Sequence, residues 1–205
     1  MIGPKEKKER SLGERLYLKA ERCNSPKCAV VRKPSRPGVH GKTSRRRAIS
    51  EFGRQLHEKQ KFKVSYGVDE RGLRKIFEAS EKRSGSTTAG IVELLERRLD
   101  NVVFRLGFGG SRSLTRQLIV HGHITVNSRR VRSPGFLVKV GDVIAARSES
   151  KTKSAFKELH ESLKKYDPPA WLLLDKEKLE GKVLSLPTDS QVPFDANLLV
   201  ESFSK

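Results

Sequence analysis

A change of hydrophobic period at Gly122 constrains the fold more than any other feature of this chain. Before that residue, apolar side chains recur at helical spacing, and the longest stripe comprises Ile91, Leu94, Leu95, Leu99, Val102, Val103 and Leu106. After it, apolar residues alternate on either side of Asn127 and Ser128, which predicts a tight hairpin. Helices followed directly by a hairpin predict a compact module of two helices packed on a short curved antiparallel sheet.

The boundaries of this module can be placed from its glycines and polar residues. The long stripe predicts one helix, with a solvent side made of Glu96, Arg97, Arg98, Asp100 and Asn101. A second helix is expected from Ser111, with Leu114 and Leu118 facing inward and Gly122 as its C-terminal stop. Residues 136–138 and 143–145 predict further strands.

The rest of the chain divides by composition. Residues 1–48 are rich in Lys, Arg, Pro and Gly, and Pro34 and Pro37 favour extended backbone, so we predict an extended basic N-terminal arm. Ser50 and Asp69 are suitable N-caps for two helices. The expected organisation is α+β: the arm (1–48), a mostly helical domain (49–94) completed by the tail (179–205), the inserted module (95–158), and a linker helix with a Trp-containing segment (159–178).

The charge of the chain indicates its class of partner. There are 43 Lys and Arg against 24 Asp and Glu, a net charge of +19, and residues 1–60 alone carry +11. Such an excess repels itself in a compact state and is typical of proteins that bind a polyanion. Nucleic acid is favoured over an anionic membrane or a solubility effect, since the sequence contains no long amphipathic basic helix or lipidation signal. Residues 171–205 have a net charge of −2, which favours a packing or protein-contact role for the tail.

The two cysteines and the apolar runs exclude several classes. Cys23 and Cys28 are too few for a secreted disulfide scaffold or a four-thiolate zinc site. They could pair, bind a metal with His40, or remain reduced buried thiols, and the last is favoured. No run is long enough for a membrane span and no signal peptide is apparent, so a cytoplasmic protein without a membrane partner is expected.

Candidate RNA-contacting residues concentrate on the second helix of the module and its hairpin. Arginine donates paired hydrogen bonds to phosphates, and amide side chains suit ribose hydroxyls and base edges. The predicted set is Arg98, Asn101, Ser111, Arg112, Ser113, Arg116, Gln117, His121, His123, Asn127, Arg129 and Arg130. A solvated basic face is the alternative, and a metal role for the two histidines is a weaker one. Further RNA contacts are predicted at Arg54, Lys59, Lys61 and Lys63.

Several motifs resemble one family. Residues 97–107, Ser111-Arg112, residues 116–118 and 121–127, and residues 138–144 closely resemble the RNA-binding module named after ribosomal protein number four. The resemblance extends to motifs outside the module, at residues 22–28, 37–41, 58–61, 66–67, 169–172 and 199–205. The chain is therefore identified as a member of the family of bacterial small-subunit ribosomal protein number four.

This resemblance implies a structural constituent of the small subunit that binds 16S rRNA early in assembly and has no catalytic residues or cofactor. It also implies a monomer within the ribosome, neighbouring ribosomal proteins number five and number three as partners, and a contribution to translational accuracy. A basic loop containing Lys42, Arg45, Arg46 and Arg47 is expected to bind RNA near the mRNA entrance.

Two positions depart from the family pattern. Zinc-binding members carry two further cysteines near the N-terminus, whereas residues 5–10 of this chain contain none, so we predict no bound zinc. Ser128 stands in the hairpin turn where the family often has Gly.

Two other functions fit the sequence less well: an RNA-modifying enzyme and a DNA-binding protein. The same RNA-binding module occurs in pseudouridine synthases, but an enzyme needs a separate catalytic domain, and no catalytic Asp motif is recognisable outside the module. A DNA-binding protein is disfavoured because the sequence shows no helix-turn-helix pattern.

Overall fold

The computed structural model describes residues 4–41, 49–151, 159, 161, 163–187 and 194–204. The chain forms two compact units, Met1–Val92 with Gln191–Lys205, and Glu93–Ser190. The first unit is helical in its described part, and the second combines helices with one antiparallel sheet. This architecture confirms the α+β class.

The N-terminal segment is more ordered than the predicted extended arm. It contains α1 (Lys5–Leu12), α2 (Ala20–Asn24) and α3 (Ala29–Arg32), followed by a 3-10 turn at Val39–Gly41. The buried carboxylate of Glu9 accepts hydrogen bonds from the backbone N–H groups of Leu16 and Leu18, both at 3.1 Å. These bonds satisfy donors that an extended chain would leave to solvent or RNA, and they stabilise a compact local fold.

Two longer helices form the centre of the first unit. They are α4 (Glu51–Tyr66) and α5 (Glu70–Glu81), and their N-caps are Ser50 and Asp69, as predicted. Each cap side chain accepts a hydrogen bond from the backbone N–H three residues later, at 3.2 Å and 2.8 Å. The C-terminal helix α10 (Ala196–Glu201) packs on α4 and buries Leu199 completely.

The long apolar stripe belongs to two helices, which corrects the prediction of one. They are α6 (Thr87–Glu96) and α7 (Leu99–Arg105). Between them the backbone of Arg98 is extended (ψ 137°) and bridges Leu137, while the N–H of Leu99 donates to the carbonyl of Phe136 at 2.8 Å. Pairing with this distant segment interrupts the helix, and sequence period cannot reveal such a contact.

Helix α8 (Arg112–Val120) begins where it was predicted, with Ser111 as its N-cap, and ends before Gly122, whose φ is +74°. Its buried side agrees with the prediction at Leu118, which packs against the core, but differs elsewhere, because Thr115 and Ile119 are buried while Leu114 is exposed. The hairpin of β1 (Ile124–Val126) and β2 (Arg129–Arg130) follows. Asn127 and Ser128 both have positive φ, 49° and 65°, as a type I′ turn requires.

The sheet has five strands in the order β2-β1-β3-β5-β4, all antiparallel. Strand β3 (Val143–Ala146) is followed by the short helix α9 (Ser148–Lys151). The last two strands in the chain are β4 (Leu172–Asp175), at the edge of the sheet, and β5 (Glu180–Val183), between β4 and β3. Strand β5 therefore belongs to the second unit. This corrects the predicted domain boundary, which joined residues 179–205 to the helical domain. Residues 136–138 form only the isolated bridge to Arg98 and add no strand to the sheet.

The core of the second unit lies between the helices and one face of the sheet. Its buried residues include Leu99, Val103 and Ile119 from the helices, and Ile124 and Ile144 from the strands. Trp171, the single tryptophan of the chain, also lies in this core. Among the described residues, no helix is both long and apolar enough to cross a bilayer.

Candidate nucleic-acid interface

The candidate surface is built on α8, whose arginines are held by residues of α7. Asn101 is fully buried; its Oδ1 accepts a 2.7 Å hydrogen bond from Nε of Arg112, and its Nδ2 donates to Oε2 of Glu96 at 2.8 Å. The Arg112 guanidinium also lies 4.7 Å from the ring centre of Phe104, a cation–π distance. Asn101 thus holds Arg112 in place. Because Asn101 is buried, it is not available for the direct RNA contact that was predicted for it.

A second contact set centres on Asp100, which is also buried. Arg98 donates to both of its carboxylate oxygens, at 3.1 Å and 2.8 Å, and Nη1 of Arg116 lies 3.5 Å from Oδ2. Arg98 is 12% exposed at its side chain, whereas Arg116 is 45% exposed. Arg116 therefore presents charge to solvent from a fixed position, and Arg98 acts chiefly within the fold.

The buried carboxylate of Glu96 is compensated by charge and hydrogen bonds. Nε and Nη2 of Arg105 donate to its two oxygens at 3.0 Å and 3.1 Å. A buried carboxylate is tolerated only when it is paired in this way. Glu96 and Asp100, which were predicted on a solvated side of one helix, are buried and hold the arginines of this region. The interruption of the helix at Arg98 places Asp100 in the interior, and helical spacing in the sequence does not reveal that interruption.

The remaining predicted residues of this region divide between exposed and structural positions. Gln117 and His121 are exposed near the end of α8, and Ser113 is half-buried. Ser111 is buried and caps α8 by accepting from the N–H of Leu114 at 3.3 Å. Ring nitrogen Nδ1 of His123 lies 2.9 Å from Oγ of Ser150.

The hairpin residues are separated by the faces of the sheet. Arg129 is paired with Val126, which enters the core, whereas Arg130 is paired with Thr125 on the opposite face. Directly paired residues of an antiparallel ladder point to the same side. Arg130 donates to the carbonyls of Gly122 and His121, at 3.2 Å and 3.0 Å, and so caps the end of α8.

Asn127 has a structural role in the turn. Its Nδ2 donates to Oδ1 of Asp142 at 2.8 Å, and its Oδ1 accepts from the N–H of Val143 at 2.9 Å. These bonds tie the hairpin to the start of β3.

The predicted basic residues of α4 lie in ion pairs. Lys61 is nearly buried and contacts Glu14 and Glu58. Lys59 and Lys63 both pair with Glu70, and the Lys59 ammonium also lies 4.0 Å from the ring centre of Phe203. Arg54 is exposed. The predicted residues Lys42, Arg45, Arg46 and Arg47 lie outside the described residues.

These ion pairs shift two pKa values. Burial alone would lower the pKa of Lys61, but hydrogen bonds to Glu14 and Glu58 outweigh it and raise the pKa. Burial would raise the pKa of Glu70, but Lys59 and Lys63 reverse the direction and lower it. Both groups are therefore held in their charged forms by their partners.

The cysteines do not fit a zinc site in the described part of the chain. Cys23 and Cys28 are buried and unbridged, and burial raises the pKa of the Cys23 thiol, which opposes the thiolate that zinc requires. No group of three His, Cys, Asp or Glu side chains suited to a metal occurs among the described residues. The absence of bound zinc stays a prediction.

Comparison with known families agrees with the two-unit architecture. Residues 1–96 match the model described as ribosomal protein S4/S9 N-terminal domain, and residues 97–144 match the S4 domain. The second range includes α7, α8, the hairpin and the contacts that Arg98 and Arg112 make with Asp100 and Asn101, whereas Glu96 and the ion pairs of α4 lie in the first. Fold and site together define a ribosomal protein with an S4 RNA-binding domain.

Relatives of known identity match along nearly the whole chain. The small ribosomal subunit protein uS4A of Alkaliphilus oremlandii is 48% identical over 94% of this chain and 93% of its own length. The uS4 proteins of Pelotomaculum thermopropionicum (47%, over 94% and 93%) and Caldicellulosiruptor bescii (48%, over 100% and 98%) are similarly close. The chain belongs to the uS4 family of small ribosomal subunit proteins. It is an rRNA-binding structural constituent of that subunit, and the family is not enzymatic.

Proposed function

We propose that the exposed side of α8, with Arg112, Ser113, Arg116, Gln117 and His121, is the principal rRNA-contacting surface, and that 16S rRNA is its ligand. The observation that carries this proposal is the fixation of Arg112 and Arg116 by the buried groups Asn101 and Asp100. An arginine held before binding loses less side-chain entropy when it meets a phosphate, so it contributes more to affinity.

The remaining predicted contacts have different roles in this proposal. Arg129, on the helix side of the sheet, extends the surface toward the hairpin, and His123 borders it. Arg98, Asn101, Ser111 and Asn127 support the surface from within the fold. On the helical unit, Arg54 contacts RNA directly, and Lys59 and Lys63, which share the carboxylate of Glu70, add to the local positive potential. Lys61 is matched by Glu14 and Glu58 and supports the fold.

The finer biological roles are part of the same proposal and rest on the family resemblance. They are nucleation of subunit assembly, contact with ribosomal proteins number five and number three, a contribution to accuracy, and a position near the mRNA entrance. For the last role, the proposed residues are Lys42, Arg45, Arg46 and Arg47. The chain acts as a single copy in the subunit.

Replacement of Arg116 by Ala tests the α8 surface with little risk to the core, because this side chain is half exposed. Affinity for a 16S rRNA fragment should fall about tenfold or more, the usual effect of losing one charged phosphate contact. Arg74→Ala is the matched control, since Arg74 is also an exposed helical arginine that faces an acid, Glu78 at 3.7 Å. Equal affinities for the two variants would show that α8 does not face the RNA.

A further inference from the structure

The face of the sheet turned away from the helices contains a groove that the α8 surface does not include. Along β3, Ile144 and Ala146 enter the core, so Val143 and Ala145 point to the opposite side. Together with Thr125 they form the floor of a groove of about 750 Å³. This floor is made of small side chains, which allows a ligand to lie close to the sheet.

Among the described residues, three cations and one carboxylate line this groove. The cations are Arg130, Arg147 and Lys151, and the carboxylate is Glu180. Neither Arg147 nor Lys151 is among the predicted RNA contacts, although the alternation of β3 continues from Ala145 to Arg147 and indicates that Arg147 lies on this face.

The charges of these cations remain available to an anion. Arg130 donates to the carbonyls of Gly122 and His121, and Lys151 donates to the carbonyl of Lys178. A carbonyl is neutral, so these bonds orient the cations without cancelling their charge. Arg147 pairs with Glu149 at 2.7 Å, but Glu149 is itself exposed. Exposed pairs of this kind contribute little energy and can exchange their partner.

We propose that this groove binds a second stretch of rRNA backbone, separate from the stretch that meets α8. Arg147 and Lys151 bind phosphate oxygens, and the hydroxyls of Ser128 and Ser148, which also line the groove, bind ribose 2′-hydroxyls. The described lining contains no aromatic side chain, although tryptophan and tyrosine are enriched among the strongest contacts of protein interfaces, and its arginines suit phosphates as well. Charge and lining therefore favour RNA over a protein partner. The inference rests on the rRNA-binding function but not on the α8 surface.

The test uses the full-length chain with Arg147→Ala and Lys151→Ala combined. Arg130 is left intact because it caps α8. The readout is the dependence of 16S rRNA affinity on salt, together with a hydroxyl-radical footprint of the RNA. Loss of two phosphate contacts should lower the slope of log affinity against log salt by about 1.4–1.8. The matched control is Lys139→Ala with Lys164→Ala, two exposed lysines of the same unit outside the groove.

The footprint separates this proposal from the α8 proposal. The groove variant should lose protections that Arg116→Ala retains, and Arg116→Ala should lose protections that the groove variant retains. If only the groove variant has an effect, the groove proposal is supported and the α8 proposal is wrong. A salt slope and a footprint equal to those of the control would overturn the groove proposal. So would normal affinity for naked rRNA combined with failure to enter subunits, because that result would identify a protein partner.

Discussion

Nε of Arg112 donates a 2.7 Å hydrogen bond to Oδ1 of Asn101, a side chain with no exposure to solvent. The same amide donates to Glu96, which is held in turn by Arg105. A chain of buried polar contacts thus connects the inside of the module to an arginine on its surface. Stability of the module and presentation of its charge therefore depend on the same residues.

We expect Asn101→Leu to destabilise the second unit by about 1–3 kcal/mol. The change removes the amide that donates to Glu96 and accepts from Arg112, and the loss of buried hydrogen bonds to charged groups carries that cost. Urea unfolding followed by the fluorescence of Trp171, which lies in the same unit, measures the effect. Gln117→Leu, at an exposed site on α8, should remain within about 0.5 kcal/mol of the parent. A similar loss in both variants would mean that the buried contacts do not stabilise the fold.

Ser128→Gly should stabilise the hairpin by about 0.5–1 kcal/mol. Ser128 has a φ of 65°, a region that is unfavourable for residues with a Cβ but open to glycine. Part of this gain is lost to the greater freedom of glycine in the unfolded chain. Ser133→Gly supplies the comparison, because Ser133 is an exposed loop serine without positive φ and should gain nothing. The prediction fails if the urea midpoint of Ser128→Gly does not rise.

Lys61→Met should lower the stability of the first unit by about 1–3 kcal/mol near neutral pH, since it leaves Glu58 without its cation. The pKa of Lys61 is raised above its ordinary value of 10.5 in the folded protein. Its contribution is therefore complete below that value and is lost as pH rises through the folded pKa.

Unfolding followed by circular dichroism from about pH 9 to about pH 11.5 checks this sign. The difference between parent and variant should shrink toward the alkaline end, while the other lysines and tyrosines titrate in both proteins and cancel. A difference that stays constant across the range contradicts the assignment.

Leu199→Ala should destabilise the first unit by about 2–5 kcal/mol, the usual cost of truncating a buried leucine. Leu199 is fully buried in α10, whose neighbours Phe194 and Phe203 make ring contacts with Phe62 and Phe77 at 5.3 Å and 5.0 Å. The C-terminal segment from Phe194 to Phe203 therefore packs on the helices of the first unit and stabilises them. Val39→Ala, at a residue 93% exposed, is the control and should leave the circular-dichroism transition unchanged. Equal midpoints for the two variants would show that the tail is dispensable for this unit.

Features encoded within a few residues of each other were predictable. The caps at Ser50 and Asp69, the start of α8 at Ser111 and the turn at Asn127 and Ser128 depend on local hydrogen bonds and local backbone geometry, and each lies where the sequence predicts it. The exposed candidates Arg116 and Gln117 also follow directly from the pattern of α8.

Features that depend on distant pairing were not predictable. The break between α6 and α7 arises because Leu99 donates to Phe136, which lies 37 positions later in the chain. That break moves Asp100 and Asn101 from the expected solvent side into the interior. The joining of β5 to β3 likewise assigns Glu180–Val183 to the sheet rather than to the tail.

Hydrophobic period, helix caps and net charge are local or additive properties, and they were enough to predict a basic α+β protein with an arginine-bearing helix and a tight hairpin. The folded structure sets which of the charged groups reach solvent. Arg98 lies inside and Arg116 outside, although both face Asp100. The physical reason is that burial of a charge depends on partners brought from elsewhere in the chain, and spacing along the sequence does not encode them.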